Sequence, residues 1–563
     1  MSIMRKKEFE MRHLFSGKTR KDRLKKMETE VYDVLVIGGG ITGAGIALDA
    51  QTRGMRTALI EMQDFAAGTS SRSTKLVHGG LRYLKQFEVK MVAEVGKERA
   101  VVYENGPHVT TPEWMLLPFH QGGTFGAFTT SLGLRVYDWL AGVKRAERRR
   151  MLNREETLEK EPLLKKQGLK GGGYYVEYRT DDARLTIEVL KKAVDAGADA
   201  VNYTKVEELV YESGKLIGVK ARDVIGGEMH MIQARKVVNA TGPWVDTLRE
   251  LDRSKQGKTL RLTKGIHLVF DGKRFPLRQA IYFDTPDGRM VFAIPRDGKT
   301  YVGTTDTDYA GDIACPRMTI EDRDYVIAAG NYMFPELKLE AGDVESSWAG
   351  LRPLIYEEGK PPSEVSRRDE IFRSPSGMLT IAGGKLTGYR KMAETATDLL
   401  AAELKADGFG PFAPCSTRTL PISGGDVGGS EQFPAFIRRM TERGEQLGLS
   451  RETAERLTRR YGTNVAAVYE RIPSREEEPL RGLPADVHAS LLYGIEQEMV
   501  VKPVDFFIRR TGALFFDIAW VRRWKEDVIR AMAEHMGYSE EKFREYELEL
   551  ETELQEALTP TGS

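Results

Sequence analysis

From Asp33 the chain runs Val-Leu-Val-Ile and then Gly38-Gly39-Gly40-Ile41-Thr42-Gly43, so a short apolar strand feeds straight into a G-x-G-x-x-G turn. The next residues, from about Thr42 to Arg53, predict a helix that Gly54 closes. Thr57-Ala58-Leu59-Ile60 then predicts a second, parallel strand ending at Glu61. Strand-like runs recur as far as about residue 400, at Lys236–Gly242, Gly265–Phe270, Met290–Pro295, Tyr301–Thr305 and Thr380–Lys385. This pattern predicts an α/β nucleotide-binding core with a mixed or antiparallel sheet inserted. Asp407 to Phe433, rich in Gly, Pro and Ser, reads as a linker. Beyond it the period becomes helical. Ser450 caps a helix with Ala454, Leu457 and Tyr461 on one face and Gly462 as its stop. A longer helix runs from Asp517 to Met536 and stops at Gly537, and an acidic amphipathic one follows Ser539.

The glycine turn is a seat for a dinucleotide. Gly38 permits the tight turn, Gly40 lets the backbone approach a pyrophosphate, and Gly43 lets the helix pack on the strand. The helix start, at Thr42, aims its N–H groups and positive dipole end at the phosphates. A carboxylate at Glu61 accepts from a ribose 2′-OH and repels a 2′-phosphate, which disfavours NADP and leaves NAD and FAD. Two later segments favour FAD: Lys236 to Gly242, which holds Ala240 and Gly242 at a strand end, and Thr380 to Lys385, a late glycine loop. Three distant segments converging on one ligand suit an extended, buried FAD.

At 563 residues the chain holds several domains. Lys and Arg total 84 against 83 Asp and Glu, a net charge of +1. No global field therefore draws the chain to nucleic acid, and any anion recognition is local. Cys315 and Cys415 share no metal or redox spacing and read as structural thiols of a reducing compartment. There is no apolar run of membrane-spanning length, and residues 1–27 lack the apolar core of a secretory signal, so the cytoplasm is the expected location. That basic N-terminal stretch reads as a solvated, partly ordered tail, with an anionic membrane surface as the alternative.

The segment after Glu61, from Gly68 to Leu84, packs hydroxyls, cations and glycines together: Thr69-Ser70-Ser71-Arg72-Ser73-Thr74-Lys75, then His78, Arg82 and Tyr83. Its hydroxyls and amides suit a flavin and its pyrophosphate, and Arg82 and Tyr83 are placed to reach an anionic substrate. Further motifs follow in order: DDARL at Asp181, NATGPWV at Asn239, KGIHLV at Lys264, GTTDTDY at Gly303, GLRPL at Gly350 and GGKLTGYRKMAE at Gly383. Together with DFFIRRT at Asp505, this series resembles the FAD-dependent glycerol-3-phosphate dehydrogenases from about residue 28 to the C-terminus.

The resemblance implies a basic tail (1–27) and an FAD-binding Rossmann-like domain interleaved with a mixed or antiparallel-sheet substrate domain (28–404), an amino-acid-oxidase-like flavoprotein fold. A C-terminal helical domain (405–563) completes it. It implies oxidation of sn-glycerol 3-phosphate to dihydroxyacetone phosphate, with flavin N5 taking the hydride and a membrane quinone taking the electrons. The alternatives are an oxygen-using oxidase, whose usual mid-chain insertion is not recognised here, and an amino-acid or amine oxidase on the same fold. Thr69, Ser70, Ser71, Lys75, His78, Ala240, Gly242, Gly384, Leu386 and Thr387 fall to the cofactor.

Alcohol oxidation also needs a base beside the hydroxyl. His267 is the first choice, because imidazole titrates at about 6.5, near a cytoplasmic pH. His78 is the second. The resemblance implies that Arg352, within GLRPL, meets the reacting oxygen, and since a guanidinium is too basic to accept a proton its role there is to orient that oxygen and stabilise its charge. By the same resemblance Arg82, Arg368 and Lys385, with Tyr83 as a hydroxyl donor, are the cation set for a phosphate dianion. Arg390 supports Lys385, Arg367 is the rival for the place of Arg368, and Trp244 reads as packing.

A quinone lives in the bilayer, so a chain without a span must lie on the membrane. Leu132 to Arg150, amphipathic and basic, is the candidate anchor on the inner face of the cell membrane. A homodimer is compatible with the sequence.

Overall fold

The strand Val31–Ile37 lies at the centre of the first sheet, with Thr57–Ile60 and Met229–Asn239 parallel to it on either side. The architecture is that of a computed structural model, which describes residues 15–77, 89–123, 149–357, 369–473 and 482–562. Asp199–Val201 extends the sheet beyond Thr57–Ile60, while Leu379–Ala382 and Glu370–Arg373 extend it beyond Met229–Asn239. The helix Ile41–Thr52, one residue ahead of its expected bounds, packs on the central strand and between the helices Asp182–Asp195 and Tyr389–Ala406. Strands are therefore added to opposite sides of Val31–Ile37 and Met229–Asn239, which makes their junction the switch point at which such sheets bind ligands.

The second sheet is built mainly of antiparallel pairs. Its long member, Lys258–Asp271, runs between Lys299–Gly303 and Val344–Glu357, with Thr307–Asp308 at one end. The rest of the order is Met290–Arg296, Ala280–Asp284, Thr110–His120, Leu169–Thr180 and Leu76–Val77. The last strand is the continuation of the Gly68–Thr74 loop, so one covalent segment bridges both sheets.

After residue 406 the chain is irregular up to Ser430, as the Gly, Pro and Ser content suggests, yet it is anchored. Ala413 donates to Arg53, Ile422 to Asn105 and Ser423 to Glu188 through backbone N–H groups. Helices then follow: Phe433–Gln446, Arg451–Tyr461 capped by Ser450, Ala485–Gln497, Ile518–Met536 capped by Asp517, and Glu540–Leu558. The last of them, with the short helix Ala513–Phe516, packs on the second sheet, where Phe515 and Phe516 lie against Trp348 at 5.3 and 5.5 Å.

One expectation needs correction. From Phe15 onward the basic N-terminal stretch is not a solvated tail but includes a packed helix, Arg20–Thr29, with Leu24 and Met27 fully buried. Arg20 pairs with Asp223 at 2.7 Å and donates to the carbonyls of Asn202 and Tyr203, and Arg23 pairs with Asp199 at 3.1 Å. The cations repeat at helical spacing on the face that carries the apolar residues, and carboxylates at the sheet margin meet them. Residues 1–14 lie outside the described residues.

Candidate active site

The glycine turn is closed by contact rather than by flexibility. Gly38 has a φ of +112°, and a Cβ there would stand 2.5 Å from the carbonyl oxygen of Ala240. A Cβ on Gly43 would stand 1.9 Å from the Gly38 carbonyl oxygen. Backbone thus comes to the surface where a side chain is excluded, at the start of the helix Ile41–Thr52, which places Thr42 and its neighbouring N–H groups there. Gly40 is the N-cap of that helix, and the Ile41 N–H donates to Ser70 Oγ at 2.9 Å. Glu61 accepts from Gly39 at 2.7 Å and from Gln63 at 2.8 Å, which fixes the carboxylate at the end of its strand. Ser71 is buried, and its hydroxyl has no hydrogen-bond partner among the described residues. A dinucleotide pyrophosphate and ribose fit this donor set.

From this cradle the segment Gly68–Thr74 leads into a cleft of about 580 Å³. Thr69 hydrogen-bonds the carbonyl of Leu351 at 2.8 Å, and Gly350 passes so close that a Cβ would lie 2.1 Å from the Arg72 carbonyl oxygen. Thr69, His267, Arg352, Gly384, Lys385, Leu386 and Thr387 all line the cleft, as the sequence suggested. Lys385 to Gly388 also leads into the helix Tyr389–Ala406, so the positive dipole end of a second helix follows directly on the cleft-lining residues Lys385, Leu386 and Thr387.

His267 owes its place to strand register. It lies opposite Gly303 on one neighbouring strand and opposite Trp348 on the other. Gly303 leaves room for the ring, because a Cβ there would sit 2.3 Å from its Cδ2. Trp348 stacks on the imidazole at 4.7 Å with an 11° interplanar angle, and its indole N–H donates to Ser73 O. Nε2 is 3.0 Å from the hydroxyl of Thr74, itself a cleft-lining residue. Burial, then the charges of Arg352 and Lys75, hold the imidazole well below its usual 6.5, so it is neutral at cellular pH. Arg352, across the ladder from Thr263, reaches Asp306 at 3.1 Å.

Other expectations change on the structure. Lys75 does not present its ammonium to the cleft. It donates to Asp182 at 2.6 Å and to the Ser71 carbonyl at 2.8 Å, buried on the far side of its loop, where it holds that loop in shape. Arg390 does not assist Lys385, because its guanidinium is taken up by Glu98 and Glu394 at 2.6 to 2.7 Å. Ala240 and Gly242 lie at the strand end under Gly38, and the Trp244 ring packs on Gly68. His78, Arg82, Tyr83, Arg367, Arg368 and the Leu132–Arg148 part of the candidate anchor lie outside the described residues. Sequence reasoning did not single out Asp306, Trp348 or Arg289, nor the place of Gly303 beside His267; Arg72 and Thr74, within the hydroxyl-rich segment, also line the cleft. Only strand pairing reveals Gly303 and Trp348 as the neighbours of His267.

Comparison with known proteins agrees with this geometry. Residues 33–390 match the family model of FAD-dependent oxidoreductases, and residues 415–543 match that of the C-terminal domain of alpha-glycerophosphate oxidase. The aerobic glycerol-3-phosphate dehydrogenase of Bacillus subtilis (strain 168) is 64% identical over 98% of this chain and 99% of that protein. The chain belongs to the aerobic glycerol-3-phosphate dehydrogenase family. A second member, from Staphylococcus haemolyticus (strain JCSC1435), is 58% identical over 95% of this chain and 96% of its own length. The crystal structure of the glycerol-3-phosphate dehydrogenase from Bacillus halodurans complexed with FAD superposes with a TM-score of 0.85 at 54% identity, covering 97% of this chain and 99% of that one. L-alpha-glycerophosphate oxidase from Mycoplasma pneumoniae, at 20% identity and a TM-score of 0.55, shares the fold over 69% of this chain and 97% of its own. The FAD-dependent oxidoreductase fold of this family, with its mixed sheets and C-terminal helices, is thus the fold expected above.

Proposed function

We propose that the chain oxidises sn-glycerol 3-phosphate to dihydroxyacetone phosphate. The observation that carries this reading is the convergence of a neutral His267, Arg352 and Lys385 on one cleft joined to the glycine cradle. When bound, FAD supplies the acceptor for the hydride that leaves the carbinol carbon. Glu61 and the N–H groups at Thr42 and Gly43 would hold its ribose and pyrophosphate, with Ser70 and Ser71 beside them. Lys385 receives the phosphate dianion, together with Arg82, Tyr83 and Arg368. Arg72 and Arg289 line the same cleft, Arg289 beside Asp287 at 3.3 Å.

Arg352, steadied by Asp306, directs the substrate hydroxyl and stabilises negative charge on that oxygen as it becomes a carbonyl. His267 takes the hydroxyl proton at Nε2, where Thr74 Oγ1 marks the approach from the cleft. The substrate assists this step. Burial, then Arg352 and Lys75, depress the proton affinity of His267, and a dianion in the cleft near Arg352 offsets the cationic part of that effect, so the base strengthens once substrate is present.

The electrons pass on to a membrane quinone, and the chain docks peripherally on the inner face of the cell membrane, as a monomer or homodimer. Among the described residues no helix is long and apolar enough to cross a membrane, which is compatible with a peripheral mode. Glycerol-3-phosphate-dependent reduction of an artificial dye, without matching peroxide, is the expected result, and stoichiometric peroxide would favour the oxidase alternative. Competition by phosphoglycolate is expected, and insensitivity to it would favour an amino-acid oxidase. High salt or carbonate should release the chain from membranes, and persistence through both washes would argue against peripheral docking.

A further inference from the structure

Asp64 stands three residues after Glu61 and five before Thr69, in the loop that joins the ribose carboxylate to the hydroxyl segment. Its side chain points away from the cleft and is almost wholly buried. All of its acceptor capacity is used. Arg509 Nε donates at 2.5 Å, Arg510 donates through Nη1 at 2.7 Å and Nη2 at 3.0 Å, and Asn202 Nδ2 donates at 3.0 Å. Burial alone raises a carboxyl, yet the two guanidinium groups, Arg510 first, hold this one down to about 2.

Both arginines come from the helical turn Asp505–Arg510, beyond the irregular segment that follows the first domain. They are themselves fixed from behind. Arg509 pairs with Asp505 at 2.8 Å, Arg510 donates to the carbonyl of Glu498 at 2.7 Å, and Arg184 donates to the carbonyl of Arg510 at 2.9 Å. On the other side, the loop is laced to the glycine turn. The Ala66 N–H donates to the Gly39 carbonyl at 3.0 Å, and Gly39 in turn donates to Glu61. Between them Ala66 takes a left-handed φ of +65°, a conformation that persists in a residue with a Cβ only when its surroundings impose it. Phe65 fits under Gly39 and stacks on Phe15 at 5.5 Å.

We propose that Arg509 and Arg510 act as positioning residues for the cofactor: through Asp64 they hold the loop 61–71 in its binding shape, so that flavin retention by the first sheet depends on the C-terminal segment. The inference rests on the assignment of FAD to the glycine cradle. Neither arginine lines the cleft, so the effect on FAD is exerted through the loop alone.

The test measures the FAD dissociation constant by flavin fluorescence, and the gap in melting temperature between FAD-loaded and FAD-stripped protein. Arg510→Gln should weaken FAD binding at least tenfold and narrow the gap. Arg509→Lys, which keeps the charge and is the safer folder, should weaken it two- to fivefold. Leu550→Ala, which opens a cavity in the fully buried face of Glu540–Leu558 without touching Asp64, should lower both melting temperatures together and leave the FAD constant unchanged. The inference is overturned if Arg510→Gln or Arg509→Lys folds and holds FAD as tightly as the unaltered chain. It is also overturned if Leu550→Ala loosens FAD as much as Arg510→Gln. An unaltered chain that takes up no FAD would overturn the cofactor assignment itself, and this inference with it.

Discussion

Replacing Gly303 by alanine should disable the catalytic base without touching it chemically. The backbone at Gly303 lies outside the left-handed region, so its φ does not itself demand glycine, and the effect considered is that of one added methyl group. That methyl would lie 2.3 Å from Cδ2, 2.7 Å from Cγ and 2.8 Å from Nε2 of His267. The ring must retreat by about 1 Å to restore ordinary carbon–carbon contact. Trp348 stands behind it at 4.7 Å, backed in turn by Phe515 and Phe516, so the retreat breaks either the stack or the Thr74 hydrogen bond. Overpacking of this kind costs about 1–3 kcal/mol. A misplacement of about 1 Å in a reacting group costs on the order of 10²-fold in rate. Stopped-flow bleaching of the flavin by glycerol 3-phosphate, without oxygen, should therefore slow about 10²-fold, while flavin content and phosphoglycolate affinity stay near those of the unaltered chain. In the His267→Ala background the methyl has room, and Gly303→Ala should add no further loss. Bleaching at the unaltered rate in the single variant, or full additivity in the double, would refute the reasoning.

Further outcomes follow from the same geometry. Because burial and two cations hold His267 below about 6.5, the deprotonated base persists to lower pH. The acid limb of kcat/KM assigned to it should fall clearly below pH 6.5 and disappear in His267→Ala; a limb centred above 6.5 would contradict the site. The same shift predicts that stability declines as pH falls below about 6.5, since the unfolded chain then binds a proton that the folded one refuses, and urea melts at pH 7 and 5.5, compared with His267→Ala, read this term. Gly43→Ala, whose methyl would overlap the Gly38 carbonyl at 1.9 Å, should fold around its second sheet yet purify colourless; an unchanged ratio of flavin to protein absorbance would count against the cradle. Arg352→Lys, which cannot keep both Asp306 and the reacting oxygen, should slow flavin reduction by about 10- to 10²-fold, and an unaltered rate would remove Arg352 from the chemistry.

The features legible in the sequence were those set by local geometry. The glycine turn, the helix that begins at Ile41, the Ser450 cap, the Gly537 stop and the carboxylate at Glu61 each follow from neighbouring residues, and the structure places them within a residue or so. His267 and Arg352 were legible through the motif resemblance, and the cleft unites them. What stayed hidden depends on pairing over long separations. Lys75 looks like a ligand cation until Asp182, 107 residues on, is found beneath it. Arg390 likewise meets Glu98 across 292 residues. The N-terminal cations looked solvated because Asp199 and Asp223, which bury them, lie far along the chain. Gly303 and Trp348 carry no motif of their own as partners of His267, and alternation within a strand does not say which strand lies beside it.

The central claim is that one cleft joins a flavin to a phosphorylated secondary alcohol. The most direct measurement mixes FAD-loaded chain with one equivalent of sn-glycerol 3-phosphate in the absence of oxygen, and follows the flavin band and the product together. The account predicts loss of the band with close to one dihydroxyacetone phosphate formed per flavin. A spectrum that stays unchanged with glycerol 3-phosphate, or that bleaches only when an amino acid is supplied, would contradict it.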